Sequence, residues 1–236
     1  MILGVLMSLQ KQFDSAIQPL SRYDYRNVFR DMCRMGALSV ANSIHTPSWK
    51  NREDEYMRIV RSYPKPDFQR VFELYCLIVS EIVNNPYMDI LGELYTINKI
   101  GNARLGQYFT PLSVSHLMSA ISMDNYEGEL QEKGFISIYD CCSGAGGLLL
   151  SAAKVMAERG DDPANMAVFV AQDIDQCCAD MTVIQMFYNN LSAVVQQGDS
   201  LSLKFADTIY TPQWFTTGLG EKFISLQDEM KNEVSK

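Results

Sequence analysis

Phe135-Ile136-Ser137-Ile138-Tyr139-Asp140-Cys141-Cys142-Ser143-Gly144-Ala145-Gly146-Gly147 is the stretch whose reading decides the fold. Its first five residues are mostly β-branched or aromatic and end in an acid, as a buried strand would. A Gly-rich turn follows, and helical apolar spacing then runs to residue 158. The unit is strand, turn, helix. Glycines permit the tight turn and let a ligand approach the backbone and the helix start. The spacing is not G-x-G-x-x-G, so a dinucleotide fingerprint fits poorly. By itself the turn reads equally as ordinary packing.

Towards the carboxyl end the pattern repeats. A second strand covers residues 167–171 and ends near Asp173. A long helix spans 175–191. A third strand, 193–197, ends at Gly198-Asp199, a weaker fourth covers 205–210, and a polar helix spans 220–234. Strands alternating with helices predict βαβ units and a parallel sheet, with ligands beyond the carboxyl ends of the strands. Asp140, Asp173 and Asp199 fall there. A carboxylate at Asp173 can accept both hydroxyls of a ribose, and Asp199 can accept from an adenine amino group. Each acid alone reads more often as a cap. The ordered set of Gly-rich turn, acid and acid describes a pocket for a nucleoside-bearing cofactor. S-adenosylmethionine carries no phosphate, so its pocket needs no Lys in the turn, and none is present.

Towards the amino end the chain reads as helices, at 5–17, 24–44, 54–62, 68–83 and 88–97. Thr46-Pro47, Tyr63-Pro64-Lys65-Pro66 and Asn84-Asn85-Pro86 break them, and Asp67 is expected to cap the fourth. The pattern changes near Gly106, and a short helix at 111–121 leads towards the first strand. The expected organisation is a helical domain, residues 1–105, followed by an α/β domain, residues 106–236.

Hydrophobic residues make up 47% and charged residues 20% of the 236, which excludes wholesale disorder and a disulfide-dense miniprotein. No run approaches the roughly 18 apolar residues of a membrane span. The apolar start, residues 1–7, has no basic residue before it, so no secretory signal is expected and a cytoplasmic protein without a membrane partner is the reading. The six cysteines include two adjacent pairs and no C-x-x-C, so reduced thiols and no metal are expected. His45 and His116 have no Ser or Cys partner in a recognisable motif and read as structural. Residues 1–105 carry 13 Lys/Arg against 11 Asp/Glu, a net of +2, and residues 106–236 carry 7 against 17, a net of −10. A basic face for DNA therefore falls in the first half, where Lys50, Arg52, Arg58, Arg61, Lys65 and Arg70 cluster. With Glu53, Asp54 and Glu55 among them, the cluster by itself reads more often as a solvated helix face.

Five motifs in order carry a resemblance. Asp89-Ile90-Leu91-Gly92-Glu93-Leu94-Tyr95, Gly106-Gln107-Tyr108-Phe109-Thr110-Pro111, the Asp140 to Leu148 turn, Ala171-Gln172-Asp173 and Gly198-Asp199-Ser200-Leu201 resemble segments of adenine-N6 DNA methyltransferases, most of all the modification subunit of type I restriction systems. The likeness spans roughly residues 88–215. It implies a truncated Rossmann-like, S-adenosylmethionine-dependent methyltransferase domain with a mainly parallel sheet behind the helical domain. It assigns cofactor contacts to Gln107, Tyr108, Phe109, Thr110 and Pro111, and to Asp140 with Ser143, Gly144, Ala145 and Gly146. Asp173 would hold the ribose and Asp199 the adenine. DNA, a specificity or partner subunit, and homo- or hetero-oligomers are the implied partners.

The chain departs from the family at Cys141, where proline is usual, at Ala145, and above all after the fourth strand. The family's Asn/Asp/Ser-Pro-Pro-aromatic motif accepts from the target amine and stacks on a flipped base, as chemistry on a base requires. Thr211-Pro212-Gln213-Trp214 stands there. The expected catalytic group is therefore Thr211, Pro212 and Trp214, with Thr211 a shorter acceptor than Asn or Asp. About twenty residues follow Phe215, so no base-reading element of the chain's own is expected. Two readings result: an adenine-N6 DNA methyltransferase, or a catalytically impaired cofactor-binding relative acting as a partner subunit or in phage or plasmid defence or counter-defence. A small-molecule methyltransferase is disfavoured by the Asp89 and Gly106 segments.

Overall fold

The computed structural model of the protein describes residues 2–101 and 109–234. Helices come first: α1 (Ile2–Ile17), α2 (Tyr25–Asn42), α3 (Trp49–Ser62), α4 (Lys65–Asn84) and α5 (Ile90–Ile97). Then follow α6 (Leu112–Ser122), α7 (Tyr126–Lys133), β1 (Ile136–Asp140), α8 (Gly147–Glu158), the single turn α9 (Pro163–Met166), β2 (Ala167–Asp173), α10 (Gln176–Tyr188), β3 (Ser192–Asp199), β4 (Lys204–Tyr210), α11 (Pro212–Thr216) and α12 (Leu219–Val234). The helical half and the alternating half are as the sequence predicts; α7, α9 and α11 are additions, each too short to show a period.

Caps start the helices where the sequence places acids. Asp24 accepts from the Arg26 amide at 2.9 Å, and Asp175 accepts from the amides of Cys177 and Cys178 at 2.8 and 3.2 Å. Asp67 is a correction: α4 starts at Lys65, so Asp67 lies in its first turn. There it is buried and receives the Arg22 guanidinium and the Tyr23 hydroxyl.

The sheet has the order β1-β2-β3-β4. β1 pairs parallel with β2, Asp140 opposite Ala171, and β2 pairs parallel with β3, Asp173 opposite Gln197. β4 runs antiparallel to β3, with Lys204 opposite Asp199 and Tyr210 opposite Val194. The sheet is therefore mainly parallel, closed at one side by a hairpin. Alternation along the strands splits its faces. Phe169, Ala171, Ala193 and Val195 pack with α8 and α10, while Val168 and Val194 pack with Trp214 and Leu219.

Helix α10 is buried on all sides from Cys177 to Met186, which is why its sequence shows little amphipathic period. Ala179, Val183 and Met186 meet the sheet-side core. Cys177, Cys178, Met181 and Ile184 enter the core formed by α1, α2, α4 and α5. An ion network adds to this junction: Arg34 of α2 bonds Glu55 of α3 at 3.0 and 2.9 Å and Asp180 of α10 at 3.0 Å, while Arg52 of α3 bonds Asp207 of β4 at 2.9 Å.

Candidate functional site

The Gly-rich turn leaves β1 and enters α8 through two left-handed glycines, Gly144 at φ +56° and Gly146 at φ +90°. A Cβ on Gly144 would lie 3.0 Å from the Phe109 ring, and one on Gly146 would lie 3.1 Å from the Met186 methyl. The turn is thus held between an aromatic lid and α10. Its hydrogen bonds fix it further. Gly146 N–H donates to the Ser143 carbonyl at 2.7 Å, and Ser143 N–H to the Gln172 carbonyl at 2.9 Å. Thr182 hydroxyl donates to the Gly144 carbonyl at 2.9 Å, and Gln185 donates to the Ala145 carbonyl at 2.7 Å.

Gln185 also donates to Asp89 at 2.8 Å and accepts from the Leu91 amide at 3.1 Å. It therefore bolts the start of α5 to the turn. Asp89 caps α5 through the Gly92 amide at 2.8 Å, and a Cβ on Gly147 would lie 2.8 Å from its second oxygen. Burial raises the Asp89 carboxyl above its ordinary value, against the pull of Gln185 and Gly92. Sequence reasoning missed Gln185 and Thr182. An amide and a hydroxyl among the apolar residues of the second half of α10 were the available signal.

A cleft is lined by Phe109, Thr110, Ser115, Asp89, Asp140 and the turn residues Cys142 to Ala145 with Gly147 and Leu148. One Asp140 oxygen accepts from the Cys142 amide at 3.0 Å; the other is buried and has no hydrogen-bond partner. Such an orphan acceptor calls for a donor from a ligand. Asp173 accepts from Gly144 N–H and Asp175 N–H, both at 2.8 Å, which leaves further lone pairs on its carboxylate. Burial raises Asp140 and Asp173 above the usual carboxylate value. Asp199 is solvated, and its oxygens accept from Leu201 N–H at 2.9 Å and the Ser202 hydroxyl at 2.9 Å. The Ser202 hydrogen bond, first of all, lowers its carboxyl below the ordinary value. Ile174, 71% exposed beside Asp173, adds an apolar surface at this end of the sheet.

The structure thus brings Phe109, Thr110, Asp140, Ser143, Gly144 and Ala145 to one cleft. Gly146 shapes the turn, Pro111 caps α6, and Asp173 reaches the cleft through Gly144. Asp199 stands two strands away at the end of β3. Gln107 and Tyr108 lie outside the described residues. Thr211, Pro212 and Trp214, the expected catalytic group, are not brought to the cleft. Because β4 is antiparallel, it returns the chain to the amino end of β3, where Thr211 follows Tyr210 opposite Val194, roughly 13 Å of strand from the level of Asp173 and roughly 20 Å from Asp199. Thr211 is fully buried, accepts from Ala193 N–H at 2.9 Å and donates to the Leu191 carbonyl at 2.8 Å. Trp214 is 3% exposed in the α12-side core.

The parallel strands, the Gly-rich turn and the acids at the strand ends define a partial methyltransferase fold behind a helical region. Residues 87–222 match the family N-6 DNA Methylase, and the chain belongs to that family. It is also similar to the crystal structure of the type I restriction-modification system methyltransferase subunit from Streptococcus thermophilus, at 19% identity and a TM-score of 0.42. The match covers 70% of this chain and 35% of that one, so the chain spans about a third of the length of that subunit. Among curated proteins none matches. Among the described residues no helix is long and apolar enough to cross a membrane, and no three His, Cys, Asp or Glu side chains are grouped to hold a metal ion.

Proposed function

We propose that this chain is the cofactor-holding part of an S-adenosylmethionine-dependent adenine-N6 DNA methyltransferase and that it works with a partner subunit. The unpartnered, buried Asp140 oxygen beside the turn carries the reading, because a cationic amino group is a fitting donor for it. Asp140 and the 143–146 turn would hold the amino-acid end, and Phe109 and Thr110 would cover it. Asp173 would hold the ribose, and Asp199 would serve the adenine through the lone pair that its Oδ2 keeps beside the Ser202 hydroxyl. The group supplies a methyl on a sulfonium, which an adenine amine can attack. The chain's own residues bind and orient it and exclude water through the Phe109 lid.

The placement of Thr211 favours the partner-subunit reading over an enzyme complete in itself, since the one segment resembling a base-reading motif is committed to the core. Calorimetry with S-adenosylmethionine, beside tritiated-methyl transfer to unmethylated DNA, tests both parts. The chain is expected to bind the cofactor. Asp173→Ala should bind at least tenfold more weakly, since a hydrogen bond to a charged group contributes roughly 1.5–3 kcal/mol. Methyl transfer by the chain alone should be very weak or absent. No binding by the parent chain would sink the cofactor assignment, and efficient turnover by the chain alone would sink the need for a partner.

A further inference from the structure

Helix α6 presents its faces in reverse. Its small polar residues Ser115 and Ser119 are buried, and the Ser119 hydroxyl donates to the Leu148 carbonyl of α8 at 3.2 Å. Val114, Leu117, Met118 and Ile121, spaced as one helical stripe, face out with 42–68% of their surface exposed. A contiguous exposed apolar stripe of this kind marks an interaction site. A groove lined by Met118, Ser122, Ile138, Tyr139 and Leu149 joins the stripe to β1, and Asp140 lines both this groove and the cofactor cleft.

The two sheet edges differ. At β4 the Arg52 guanidinium takes the Thr208 carbonyl at 2.7 Å and Asp207 at 2.9 Å, a charged block on an edge. At β1, among the described residues, no strand pairs with the outer edge. In open α/β sheets the ligand crevice has strands on both sides of the point where strand order reverses. Among the described residues, the strand that carries the Gly-rich turn is itself an edge, and no strand walls that side of the crevice.

We propose that the β1 edge receives an extended strand of a partner chain, parallel to β1, apolar towards α6 and carrying Lys or Arg at its amino end. The proposal rests on the cofactor reading of the cleft, whose second wall this strand would build. Main-chain hydrogen bonds would hold the strand, with the α6 stripe covering its apolar face. The charge follows from the residues that lead into β1: Arg159 bridges Glu127 at 3.1 Å and Lys133 bridges Glu129 at 3.0 Å, while Asp124 and Glu132 have no ion pair among the described residues. A second copy fits worse. Two β1 edges related by a two-fold axis run antiparallel, which sets the acidic approach of each beside Asp140 of the other.

A labelled peptide of two lysines followed by alternating valine and threonine, titrated with the full chain by fluorescence anisotropy, tests the edge. Saturable binding is expected. Backbone N-methylation of the peptide, or glutamates in place of the lysines, should weaken it at least tenfold. Leu117→Glu with Ile121→Glu, both exposed positions, should weaken the peptide at least tenfold and leave cofactor affinity unchanged. A nitroxide at the peptide's carboxyl end should broaden the amide signals of Gly144 and Gly146; broadening at Gly134 instead overturns the parallel direction. Absence of peptide binding, or equal binding of the N-methylated peptide, overturns the strand. Dimerisation in sedimentation that the double variant abolishes overturns the partner in favour of a second copy. Peptide binding without cofactor binding would refute the cofactor reading alone.

Discussion

The Thr211 hydroxyl closes a loop between β4 and the entry to β3, as both acceptor for Ala193 and donor to Leu191. Restoring the family's amide by Thr211→Asn therefore adds bulk to a fully buried site. Overpacking of this kind costs roughly 1–3 kcal/mol, so the urea midpoint should fall while methyl transfer on denatured DNA does not rise. A rise in transfer with unchanged stability would show that Thr211 does meet the base. Resemblance could align Thr211 with a catalytic residue because alignment follows chain order. It could not see the strand reversal that sends the residue to the far end of the sheet.

At the scale of elements, the junction of α2, α3, α10 and β4 depends on buried charge. Burial pushes the Asp180 carboxyl up to about 7, against the pull of Arg34 and Gln176. Folded Asp180 therefore binds its proton more tightly than the unfolded chain does. Between pH 4 and 7 the native state holds the extra proton, so this group's contribution to stability is full below the unfolded value and declines as pH rises through the window. Asp180→Asn keeps an acceptor for Arg34 and removes the titration. Urea midpoints across that range should fall less steeply with pH in the variant than in the parent; parallel slopes would refute the assignment. Helices α2 and α10 were legible in the sequence, whereas this pairing was not, because Arg34 and Asp180 are 146 residues apart.

For the whole molecule, the charge split survives folding in an altered form. Arg52 is buried in the β4 block and leaves the basic cluster, while Arg58, Arg61, Lys65 and Arg70 remain exposed. DNA contact is expected from this helical face. Arg58→Glu with Arg61→Glu should weaken duplex binding and reduce the slope of log affinity against log salt by about 2, if each arginine meets one phosphate. An unchanged slope would place the DNA elsewhere.

The strand–turn–helix at 135–158, the acids after three strands and the order of the helices were determined by the sequence alone. Each is a local matter: period, capping chemistry and glycine's access to positive φ act within a few residues. The antiparallel return of β4, the burial of α10 on both sides and the outward stripe of α6 were decided only in the tertiary structure. Apolar spacing records that a side chain wants cover and says nothing of what covers it, and strand direction depends on a partner chosen across the sheet rather than along the chain.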